Sequence, residues 1–220
     1  MIINREMLPT EDIIPITFMS GSGGNFLCHF IVSAKRNIHD IIELSTHGNA
    51  HAFSLKDLDT FSKGINWPDK DKIDFLLSQS PDTTIKKPYY VSCHIKDVNL
   101  IKNTFKKSIR IVYDLDDLEE ITTVFYGKWA IDDSQKIRPI YKKEFYMRDI
   151  RKQHQNFNKI ADMDGILFIS WKELFKENIE EFISKLSIFT GIDKDNFSRE
   201  SLMHWRNKTQ FCINTFNKIE

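Results

Sequence analysis

The chain has 220 residues, 41% of them hydrophobic, and its 31 basic and 31 acidic side chains cancel. That is enough apolar mass for one sizeable core and too much for a disordered chain, while the neutral balance excludes a general electrostatic attraction to nucleic acid or to an anionic membrane surface. Any anion site has to be local.

Cys28, Cys93 and Cys212 are widely spaced and form no CxxC pair, which argues against a disulfide framework and against a zinc site. The first twelve residues lack a basic stretch followed by an apolar one, and no segment approaches the roughly 18 apolar residues of a membrane span. The expectation is a cytoplasmic protein with no membrane or nucleic-acid partner, organised as one domain over residues 1–220.

In chain order, the apolar run Ile13 to Met19 ends abruptly in Ser-Gly-Ser-Gly-Gly-Asn, after which Phe26, Leu27, Phe30, Ile31 and Ala34 recur at helical spacing. This reads as strand, glycine loop, helix. Residues 37–68 show no sustained periodicity and are expected to form a long connection with short helical pieces. Residues 70–79 read as a short helix, and Pro88 to His94 as a second strand. A helix follows from Ile95 to Phe105, and Ser108 to Asp114 supply a third strand. Leu118, Ile121, Thr122, Phe125 and Trp129 trace one face of another helix, and the charged stretch from Pro139 to about Phe157 reads as a partly exposed helix.

Gly165 to Trp171 form a buried strand, and Ser170 with Glu173 makes the S-x-x-E box that opens a helix. Leu174, Phe175, Phe182, Ile183, Leu186 and Phe189 stripe that helix, and Gly191 stops it. Strands alternating with helices predict an α/β fold with a mainly parallel central sheet and ligands at the carboxyl ends of its strands.

The loop is the first chemical signal. Gly21, Gly23 and Gly24 allow a tight turn whose successive N–H groups face one anion at the positive end of a helix, and Ser22 and Asn25 add side-chain donors. A tight turn with no ligand is the simpler alternative. The pattern is neither GxxxxGK[ST], because no lysine or arginine lies between Met7 and Lys35, nor GxGxxG. His94, at a strand end, is either a histidine satisfied by a carbonyl or a base. His47 and His51 have the spacing of a helical metal pair, but Gly48 and Asn49 favour a turn there. Asp114 ends a strand and opens a run of five carboxylates through Glu120; these complement a helix start, or Asp114 holds Mg²⁺ beside a nucleotide in a phosphotransferase or hydrolase.

The segment ITFMSGSGGNFL resembles the opening strand and 5′-phosphosulfate loop of the P-loop sulfotransferases, with Ser22, Gly23, Asn25, Phe26 and Leu27 on the family pattern and Gly21 where the family has its lysine. YYVSCHIKDVNLIKNTF resembles the family's Lys-Thr-His strand, with His94 on its catalytic histidine, and GILFISWKELFKENIEEFISKLSIFTGI resembles its late strand and helix. The resemblance implies a three-layer sulfotransferase-like fold that binds 3′-phosphoadenosine 5′-phosphosulfate. It implies that Gly21, Ser22, Gly23, Gly24, Asn25 and Phe26 hold the phosphosulfate and that His94 deprotonates a hydroxyl acceptor. Thr122 or Thr123 falls on the serine that grips the 3′-phosphate, whereas Asp114 or Leu115 stands where the family has an arginine. Without that arginine, a non-catalytic protein that keeps the fold and the anion loop is the alternative.

Overall fold

The computed structural model describes residues 8–18, 22–40, 67–79, 86–130, 151 and 163–219. Its frame is a four-stranded parallel sheet: β1 (Ile13–Thr17), β2 (Tyr89–Cys93), β3 (Ser108–Val112) and β4 (Ile166–Ser170), in the order β2-β1-β3-β4. Ile13 lies opposite Tyr89, Thr17 opposite both Cys93 and Arg110, and Ser108 opposite Ile166. All five residues of β1 are buried, as expected for a central strand covered on both faces.

Alternation along the strands sorts side chains between two cores. On one face Ile14, Ile16, Tyr90, Ile109, Ile111 and Ile169 meet α1 (Gly24–Lys35), α4 (Leu118–Ala130), α5 (Trp171–Phe175), α6 (Ile179–Thr190) and α7 (Arg199–Ile219). On the other, Ile13, Val91 and Cys93 meet Ile73, Leu76 and Leu77 of α2 (Asp69–Leu77) and Ile101 of α3 (Val98–Thr104). The chain is therefore α/β with helices on both faces of a parallel sheet. Burial pushes the Cys93 thiol up to about 12, so it behaves as an apolar core group.

Local signals set several boundaries. Ser170 accepts from Glu173 N at 3.0 Å while Ser170 N donates back to Glu173 Oε2 at 2.6 Å, the reciprocal cap read from the sequence. Gly191, at φ 71°, ends α6 as expected.

The single helix expected after Ser170 is instead two, α5 and α6. The break falls at Lys176–Asn178, where Asn178 accepts from Glu180 N at 2.9 Å and opens α6. All of the expected helix from Pro139 to Phe157 except Arg151, and most of the 37–68 connection, lie outside the described residues, as do Gly21, His47 and His51. No described helix is long and apolar enough to cross a membrane.

Candidate functional site

The chain leaves β1 toward β2 and leaves β3 toward β4, in opposite directions along the sheet. Neighbouring strands that part in this way open a crevice at their carboxyl ends, the usual ligand position in such sheets. Here that crevice is bounded by Phe18 after β1, the amino end of α1, His94 after β2, and Tyr113 and Asp114 after β3.

The loop residues are placed by packing. Gly23 is the N-cap of α1 at φ 81°, a left-handed backbone that glycine adopts without strain, and no side chain caps the helix there. A Cβ on Gly23 would lie 2.8 Å from the Trp205 ring, and one on Gly24 would lie 2.0 Å from the Phe18 ring. Both glycines thus let an aromatic ring close on the backbone. Trp205 continues the nest by stacking on Phe26 at 4.5 Å with an interplanar angle of 10°, so Phe26 is a core residue. Ser22 is buried, and Asn25 accepts from Ser92 Oγ at 2.9 Å, tying α1 to β2. The main chain offers donors to an anion here: the first N–H groups of a helix have no intrahelical acceptor and sit at its positive end.

His94 is 8% exposed and its Nδ1 lies 3.0 Å from the Phe18 carbonyl oxygen. A carbonyl only accepts, so Nδ1 carries the proton and the neutral ring has its lone pair on Nε2. The ring also packs against Phe18, with centroids 4.5 Å apart. One phenyl ring therefore touches both the imidazole and Gly24.

The other expected donor contacts lie elsewhere. Thr122 Oγ1 donates to Leu118 O, and Thr123 Oγ1 to Glu119 O at 2.9 Å, so both buried hydroxyls serve their own helix. Asp114 is exposed and paired at 3.2 Å with Lys172, which also reaches Asp117 at 3.8 Å; Glu120 pairs with Lys176 at 2.7 Å. The acidic run faces the basic side of α5, and no cluster of three metal-ligating side chains occurs among the described residues.

Arg206 of α7 is buried. Its three nitrogens donate to Leu174 O at 3.0 Å, Glu177 O at 2.7 Å and Glu173 O at 2.9 Å, closing the carboxyl end of α5.

Sequence reasoning missed Asp69, Lys72 and Arg110, which surround the turn after β2. Lys72 Nζ donates to His94 O at 2.9 Å, and Arg110 Nη2 to Lys96 O at 3.1 Å. Alternation in SIRIV puts Arg110 on the face opposite Ile109 and Ile111, a signal available in the sequence; its partners were not.

A cleft of about 370 Å³ opens at the other end of the sheet, between the amino ends of β1, β2 and β3, lined by Asp12, Lys87, Lys106 and Lys107 among others. It lies away from His94 and the amino end of α1. Comparison with protein-family models and with curated proteins returned no match.

Proposed function

We propose that this chain is a sulfotransferase-like group-transfer protein: the amino end of α1 takes the doubly charged oxyanion of a nucleotide donor, and His94 Nε2 takes the proton of a hydroxyl acceptor. The observation that carries this reading is Phe18, whose carbonyl holds His94 Nδ1 at 3.0 Å and whose ring abuts Gly24. A base of defined tautomer and a helix amino terminus are then one aromatic ring apart, at the sheet's switch point.

The fit to 3′-phosphoadenosine 5′-phosphosulfate is uneven. The main chain at Gly23 to Phe26 suits the phosphosulfate end, where such a donor would supply the transferable sulfuryl group. At the 3′-phosphate end, the hydroxyls of Thr122 and Thr123 donate within α4, and Arg206 is committed to α5. That supports a second reading, a binding protein that keeps the anion loop without transfer.

A transfer assay with labelled donor and a panel of hydroxyl acceptors separates the two. The transferase reading expects turnover that falls at least about 100-fold in a folded His94→Gln variant, the scale of general-base catalysis. Donor binding with no turnover in the wild type leaves only the second reading.

A further inference from the structure

The turn that carries the imidazole, residues 94–97, is gripped from two other elements. Lys72 of α2, 3% exposed, donates to the His94 carbonyl at 2.9 Å and pairs with Asp69 Oδ1 at 3.1 Å. Asp69 Oδ2 accepts both Lys96 N and Asp97 N, each at 2.8 Å. Arg110 of β3, 1% exposed, donates to the Lys96 carbonyl at 3.1 Å. The turn thus receives two bonds from buried cations and gives two to one carboxylate.

Such an arrangement is costly as mere filling. Burying a lysine and an arginine carries a desolvation penalty that an apolar residue avoids. The neighbouring positions of α2 that only cover the sheet are Ile73, Leu76 and Leu77. Here the charged groups converge on three residues of one turn, His94, Lys96 and Asp97.

We propose that Lys72, together with Asp69 and Arg110, is a positioning residue for His94: by fixing the main chain of 94–97 it keeps Nδ1 on the Phe18 carbonyl and the lone pair on Nε2. The catalytic consequence rests on the reading of His94 as the base. The geometric consequence does not.

The test is the imidazole ¹⁵N spectrum of His94 in the wild type, Lys72→Met and Asp69→Asn, with the amide spectrum as a control for folding. Met keeps most of the lysine stem, and Asn keeps the size of Asp, so at least one variant tests the knot if the other folds poorly. The wild type is expected to show a fixed Nδ1–H tautomer. In the variants the two ring nitrogens are expected to shift toward averaged frequencies, and Lys72→Arg, which keeps a donor, is expected to recover part of the wild-type pattern. Where turnover is measurable, kcat is expected to fall by up to about 100-fold with KM nearly unchanged, as for a misplaced catalytic group. A wild-type ring spectrum in a folded Lys72→Met or Asp69→Asn protein overturns the proposal. Failure of the transferase reading shows separately, as absent turnover in the wild type.

Discussion

At Gly24 the side-chain requirement is severe enough to predict a phenotype. An added methyl would sit 2.0 Å from the Phe18 ring, and Phe18 is itself buried between Gly24 and His94. Gly24→Ala is therefore expected to lower stability by about 1–3 kcal/mol through overpacking and to displace the ring that holds the imidazole. Urea denaturation gives the first effect, and the His94 ring signals give the second. Unchanged stability together with unchanged ring signals would contradict the packing described for this loop. Arg206 offers a complementary case. Arg206→Met removes three donors from the buried end of α5 and is expected to cost about 3 kcal/mol, measured in the same way.

The α1 helix has its own pH signature. Burial lowers the His29 imidazole to about 4 from an ordinary value of 6.5. Between those values the unfolded chain binds a proton that the folded one refuses, so stability falls as pH drops from about 6.5 to 4 and is complete above that window. The contribution is at most about 3 kcal/mol. Comparing the wild type with His29→Gln across this range isolates it: the stability difference between the two is expected to change along the slope, and a constant difference would refute the assignment.

Element by element, legibility followed the range of the interaction. The Ser170–Glu173 box and the Gly191 stop involve residues at most four apart, and both could be read before any fold was known. The break between α5 and α6 has a local part, the Asn178 cap on Glu180 N, and a distant part, Arg206, some 30 residues onward, taking the carbonyls of Glu173, Leu174 and Glu177. The apolar stripe from Leu174 to Phe189 continues across the interruption, so periodicity alone reads one helix where there are two.

Across the whole molecule, four parallel strands with helices on both faces follow from the alternation of apolar runs and helical stripes, and the crevice follows from their order. The contents of the crevice were only partly readable. His94 and the glycines stand out by type and spacing, but the charged knot beneath His94 joins α2, the turn after β2, and β3, which only the tertiary fold brings together. The acidic run after β3 had been readable as a helix-start feature, and its pairing with Lys172 and Lys176 agrees with that role. Asp114 is 72% exposed and Lys172 43%, so Lys172→Ala is expected to change stability by no more than about 1 kcal/mol in thermal or chemical unfolding. A larger loss would mean that this surface carries more of the fold than an exposed ion pair can supply.

The most direct measurement is an amide ¹⁵N titration of the wild-type chain with 3′-phosphoadenosine 5′-phosphate. The account predicts saturable shifts in the amides of Gly23, Gly24, Asn25 and Phe26, at the positive end of α1. Amides there that stay unmoved at millimolar ligand, whatever happens elsewhere in the spectrum, would contradict it.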